Sequence, residues 1–217
     1  MEYPLREKKY AKTKIALVNE FIERLKTNRF SDISIKEVCD SLEVSEGTFY
    51  NYFPHKYDLL SYFERLTLLK IMWGMKDKEK KLDSLGLIEY VFDCLARDIE
   101  QPFLFYEIIS VFTTEKIKPG KGEDLTEAEK YYAFPDCNGI EQVKLVSLED
   151  LFVSIIERAQ NSGDILKSIN VKEFALTLVA IMVGLPLAIE MDEFDKLSTL
   201  FRNQLIMLWK AVGAKRK

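Results

Sequence analysis

Apolar residues return at helical spacing from the start of the chain. Ala11, Ile15, Val18, Ile22 and Leu25 step by four, three, four and three, one stripe of an amphipathic helix with its lysines on the other faces. Asn28-Arg29-Phe30 ends it. Two helix starts follow closely. Ser34 and Glu37 form an S-x-x-E capping box, in which each side chain satisfies the other's backbone amide, and Ile33 and Val38 stand at the spacing of a hydrophobic staple. That short helix runs to about Leu42, and Ser45 then caps another, with Val44 and Phe49 again at staple spacing. Two capped helices joined by about three residues predict a helix-turn-helix.

The remaining pattern predicts helices and little else. Tyr57, Leu60 and Phe63 open a fourth helix running to about Met75, followed by helical segments near Leu85–Ile99 and Pro102–Phe112. Thr113 to Thr126, with Pro119-Gly120-Lys121-Gly122, reads as a polar loop, and Phe134-Pro135-Asp136-Cys137-Asn138-Gly139 as a second break. Leu145, Leu148, Phe152, Ile155 and Ala159 mark one late helix; Val171, Phe174, Leu178, Ile181 and Leu185 mark the next. Asn161-Ser162-Gly163-Asp164 separates them. The second is apolar nearly all round, which requires cover on all sides, and a second subunit is a natural source of it. Pro186 should kink its end. A final helix, about Phe194 to Val212, leads into the basic tail Lys215-Arg216-Lys217. The expected class is all-α.

Composition adds limits. A chain of 217 residues with 47% hydrophobic and 12% aromatic residues can bury a sizeable core, which excludes a disordered tail or a fibrous repeat. A net charge of −4 excludes coating nucleic acid by bulk charge. Three widely spaced cysteines, Cys39, Cys94 and Cys137, show no disulfide framework. MEYPLREKKY has no apolar core for a secretory signal, and the longest apolar run, Leu178 to Ile189, falls short of the roughly 20 residues of a membrane span. The expectation is a soluble cytoplasmic protein without a membrane partner. The charge is uneven, however. Residues 1–30 hold eight basic residues against four acids, a net +4, whereas residues 31–60 hold Lys36 and Lys56 against six acids, a net −4. A basic leading arm attracts a phosphate backbone.

The second short helix carries the most specific chemistry. With Phe49 and Phe53 facing the core, Glu46, Gly47, Thr48, Tyr50 and Asn51 turn outward. Gly47 costs about 1 kcal/mol against Ala inside a helix, and makes sense where another backbone must come close. Hydroxyls suit phosphate oxygens, and Asn51 suits a base edge. The run from Val44 through Ser45, Gly47, Thr48, Tyr50, Tyr52 and Phe53 to Lys56, with Leu59 and Leu60, resembles the DNA-binding signature of the TetR family of bacterial transcriptional regulators. The resemblance covers about 27 residues; the rest of the chain fits by length and helical pattern.

The resemblance implies an N-terminal three-helix helix-turn-helix DNA-binding domain, residues 1–55, and a C-terminal helical ligand-binding and dimerisation domain, residues 56–217. It implies phosphate contacts from Thr48, Tyr50 and Lys56, the last from the start of the fourth helix. Glu46, Gly47 and Asn51 would face the major groove. Ser34 and Lys36 would touch backbone at the start of the second helix, Ser45 would open the reading helix, and Tyr52 would divide between packing and a phosphate. Cys39 and Glu43 depart from the family pattern, which has small residues there. The resemblance further implies a two-fold dimer through the last helices and a small-molecule effector among the central ones. An aromatic-rich lining suits an apolar or planar effector, with Trp73 and Tyr106 as candidate lining residues.

Catalytic and metal chemistry find little material. The single histidine, His55, lies beside Lys56, no Cys or His pair has zinc spacing, and neither G-x-x-x-x-G-K-[ST] nor G-x-G-x-x-G occurs. No enzyme activity, cofactor or metal is expected. The expected function is a dimeric, ligand-responsive regulator, a repressor released from a double-stranded, pseudo-palindromic operator by its effector. The rival is an all-helical ligand-binding or protein-interaction module with weakened DNA affinity, favoured by the acidic balance of residues 31–60.

Overall fold

The structure is a computed structural model that describes residues 3–98, 101–115 and 124–213. Those residues form ten α-helices and no strand. The first four are α1 (Leu5–Leu25), α2 (Ile35–Ser41), α3 (Glu46–Tyr52) and α4 (Asp58–Met75). They are followed by α5 (Ser84–Asp98), α6 (Pro102–Thr114) and α7 (Glu127–Ala133), and then by α8 (Leu148–Ser162), α9 (Val171–Ala188) and α10 (Leu197–Ala211). Short 3₁₀ turns cover Phe30–Asp32, Ile140–Gln142 and Met191–Lys196.

The chain gathers into two compact units: Met1–Trp73 with Phe103–Leu145, and Gly74–Pro102 with Val146–Lys217. Contacts therefore do not divide at the 55/56 boundary read from the resemblance. The reason lies in α1, which packs along α7 and holds that later helix in the first unit. The first unit's core joins Leu17, Val18 and Phe21 of α1 to Val38, Phe49 and Phe53, and to Leu59, Leu60 and Leu69. The predicted α1 stripe is buried throughout. In the second unit Phe92 of α5 meets the Phe201 ring edge-on at 4.9 Å and the Phe152 ring at 5.9 Å, so that α5, α8 and α10 close around one aromatic cluster. Gly74 at the end of α4 permits a close approach there: a Cβ would meet the Tyr90 hydroxyl at 2.2 Å.

Several expectations are corrected. The stretch between the polar loop ending at Thr126 and the break at Phe134 carries no sequence-predicted element, yet it forms α7, which Thr126 and Glu129 start with a complete capping box. The box expected at Ser34 is only half formed: Ser34 accepts from the Glu37 N–H at 3.4 Å, while the Glu37 carboxylate turns to Arg24. α8 begins at Leu148, where the Ser147 side chain accepts from the Asp150 N–H; Leu145 lies before it and packs into the first unit's core. Gly163 ends α8 at φ 78°, as its sequence suggests. α9 runs past Pro186 to Ala188, and a 3₁₀ turn precedes α10. By length and composition α9 reaches what a membrane crossing needs, with a mean hydropathy of 1.8 over 18 residues, because the helix extends well before Leu178. Only 28% of it is buried, and Leu176 and Leu187 stand exposed. Most of the loop centred on Pro119 and the tail Lys215-Arg216-Lys217 lie outside the described residues.

Candidate nucleic-acid interface

Ile35, Val38 and Cys39 turn inward from α2, and Phe49 from α3, so the pair is pinned to α1 by one apolar seam. The turn between them is a Schellman motif. The Val44 N–H donates to Cys39 O at 3.0 Å and the Glu43 N–H to Asp40 O at 3.2 Å, with Glu43 itself left-handed at φ 55°. Glycine adopts that conformation readily; an L-residue with a side chain costs roughly 1–2 kcal/mol there. This is the physical content of the departure noted at position 43. Cys39, the other departure, is fully buried in the seam.

α3 opens on Ser45, whose Oγ accepts from the Thr48 N–H at 3.1 Å and lies 2.9 Å from Thr48 Oγ1. Phe49 and Phe53 are buried, and this one-sided anchorage turns Glu46, Gly47, Tyr50 and Asn51 into solvent, with Thr48 half-buried at the edge. Tyr50 is 49% exposed, a large ring left uncovered. Around Gly47 the nearest atom to a built Cβ would be Ser45 Oγ at 3.7 Å, an ordinary contact. Nothing among the described residues requires glycine there. Tyr52, at the end of α3, is half-buried and meets Tyr10 of α1 edge-on at 4.7 Å. On α2, Ser34 is occupied as the cap and Lys36 is exposed.

Lys56 lies differently from its expected place. α4 starts at Asp58, so Lys56 precedes the helix, and its ammonium turns inward to donate to Phe30 O. It also lies over the Phe30 ring at 4.6 Å and the Phe21 ring at 5.7 Å. Burial pulls its pKa below the usual lysine range, against a smaller opposing pull from Asp32. The Phe30 N–H, on the preceding peptide, donates to Glu107 Oε2 of α6 at 2.7 Å. His55 stacks on Tyr57 at 4.9 Å, and its N–H donates to Asp58 Oδ2.

Further residues that the sequence reading missed brace α1 and α4 against α7. Lys14 Nζ lies 2.9 Å from Glu129 Oε1, both buried, and the Tyr62 hydroxyl donates to the same carboxylate oxygen at 3.1 Å. The Thr126-x-x-Glu129 spacing was the available signal for α7. The partnership of Glu129 with Lys14 had none. Of the candidate effector residues, Trp73 donates its indole N–H to Asn138 O at 2.9 Å, which ties α4 to the break after α7. Tyr106 is half-buried on α6 beside Phe105.

No family model matches the chain, and no curated protein matches it either. Solved structures do. A bacterial regulatory protein of the TetR family from Rhodococcus RHA1 aligns at TM-score 0.57 and 14% identity, covering 95% of this chain and 98% of its own. A chain from Rhodococcus sp. described as a TetR-family transcriptional regulator aligns at TM-score 0.62 and 15% identity, over 96% and 99%. The ketosteroid transcriptional regulator KstR2 of Mycobacterium tuberculosis aligns at TM-score 0.50 and 12% identity, over 99% and 98%. The all-helical fold is the one those regulators share.

Proposed function

We propose that this chain is a ligand-responsive, DNA-binding transcriptional regulator of the TetR type, a repressor that binds a pseudo-palindromic operator as a homodimer in the cytoplasm and is released by a small molecule. The observation that carries the reading is the outward face of α3. It combines an uncrowded Gly47, an exposed Tyr50 and an exposed Asn51 on a helix held rigidly from behind by Phe49. A glycine that no internal contact explains fits a surface approached closely from outside.

In this reading Thr48 and Tyr50 hold phosphates, Asn51, Glu46 and Gly47 face base edges, and Ser34 and Lys36 meet the backbone beside the second helix. Ser45 fixes the first turn of α3, and Tyr52 braces it against Tyr10 with its hydroxyl left for a phosphate. Lys56 reaches a phosphate only by leaving Phe30. Residues 1–55 do the reading, and 56–217 bind effector and partner. The exposed Leu176 and Leu187 on α9 and Met207 on α10 supply an apolar surface for a second copy, and a dimer places two reading helices on half-sites about one helical turn apart. The effector is an apolar or planar molecule met by the rings of Trp73 and Tyr106. It must bind the released state more tightly by several kcal/mol to switch occupancy. The scarcity of proton-transfer and metal groups speaks for a regulator and against an enzyme.

A rival reading, an all-helical ligand-binding or protein-interaction module with weakened DNA affinity, draws on the net −4 of residues 31–60. Fluorescence anisotropy with the DNA upstream of the gene, against a random duplex and across salt, separates the two. The regulator shows a steep salt dependence together with a preference for its own upstream DNA. Equal, weak binding to both duplexes supports the module.

A further inference from the structure

The surface set against DNA has the wrong charge for phosphate. Residues 34–56 hold Lys36 and Lys56 against Glu37, Asp40, Glu43 and Glu46, and the Lys56 ammonium is turned onto Phe30. α3 carries no cation and one acid, Glu46. It offers shape, hydroxyls and an amide, whereas duplex affinity comes chiefly from cations that displace counterions.

The opposite balance lies at the start of α1. Arg6, Lys8, Lys9 and Lys12 are all exposed, and Glu7 is the acid among them. Lys12 covers the Tyr132 ring at 5.3 Å. None of the ion pairs among the described residues engages Arg6, Lys8 or Lys9. Tyr10 fixes where these cations lie relative to the reading helix. Its ring meets Tyr52, the last residue of α3, at 4.7 Å and 80°, yet it remains 38% exposed. Arg6 stands one turn before Tyr10 on the same face of α1, and Lys9 flanks it. A cationic rim thus continues outward from the end of α3.

We infer that Arg6 and Lys9 form a second grip on the duplex, holding backbone phosphates that flank the groove facing α3. The inference rests on the DNA-reading role proposed for α3 and adds the source of its charge. α3 supplies discrimination, and α1 supplies most of the salt-dependent affinity.

The test is anisotropy on a random duplex of about 30 base pairs over a salt series, with wild-type protein, an R6Q/K9Q variant and a charge-preserving R6K/K9R variant, thermal melts confirming that all three fold. Loss of two phosphate contacts lowers the slope of log K against log salt by about 2 and weakens binding roughly fiftyfold at about 0.1 M salt. R6K/K9R keeps the wild-type slope. A wild-type slope in R6Q/K9Q overturns the α1 grip and leaves the role of α3 standing. Failure of the wild-type protein to bind any duplex, even at low salt, overturns both.

Discussion

Lys14 of α1 and Glu129 of α7 form a buried ion pair at 2.9 Å, with the Tyr62 hydroxyl on the same carboxylate oxygen. Lys14 also lies over the Tyr62 ring at 4.6 Å. Two distant stretches of sequence thus meet at one charge, on the side of α1 that meets α3 through Tyr10 and Tyr52. Removing one partner leaves the other charge buried alone, so Glu129→Gln or Lys14→Met should each cost about 3–5 kcal/mol in urea unfolding. The double variant Lys14→Met/Glu129→Gln should cost clearly less than the sum of the two. Additive losses would show that the two groups act separately.

The same pair sets a pH dependence. Burial alone raises the Glu129 pKa, but the Thr126 hydrogen bonds and the Lys14 ammonium outweigh it and hold the carboxyl below its usual range. A depressed folded-state pKa gives stability that is fully present above the unfolded value, about 4.3, and is lost as pH falls through the folded value. Between about pH 5 and pH 3, wild-type protein should therefore lose more stability than Glu129→Gln does. Parallel melting curves for the two across that range would contradict this origin.

Gly47→Ala separates fold from function. Nothing among the described residues crowds the position, so alanine should raise helix stability by up to about 1 kcal/mol. If a DNA backbone approaches there, the same change should weaken operator binding. A higher melting temperature with undiminished DNA affinity would remove the close approach.

Glu43→Gly relieves the left-handed strain at φ 55° and removes an acid from the turn before α3. The relief of roughly 1–2 kcal/mol is partly offset by the greater freedom of glycine in the unfolded chain, and a net gain of about 0.5–1 kcal/mol is expected in thermal unfolding. Binding to a random duplex should tighten as well.

Leu176→Glu on α9 places a charge on an apolar surface where the side chain is 60% exposed. The monomer should fold unchanged, whereas sedimentation at micromolar concentration should shift from dimer towards monomer. A dimer that persists would put the interface elsewhere.

The sequence by itself determined the helix starts and the inward faces, because both are local. A serine three residues before an amide, or apolar residues every three to four positions, act within one turn of chain. Ser34, Ser45, the α1 stripe and the burial of Phe49 and Phe53 were therefore legible, and so were the outward Glu46, Gly47, Tyr50 and Asn51 on α3, although Thr48 is half-buried. Only the tertiary structure decided where long side chains end. Lys56 reads as a solvent-facing cation until Phe30 and Phe21 surround it, and Glu107 meets the Phe30 amide across 77 residues. Periodicity likewise showed that α9 is apolar all round, but not that the chain leaves much of that surface exposed, since burial depends on which elements arrive to cover it.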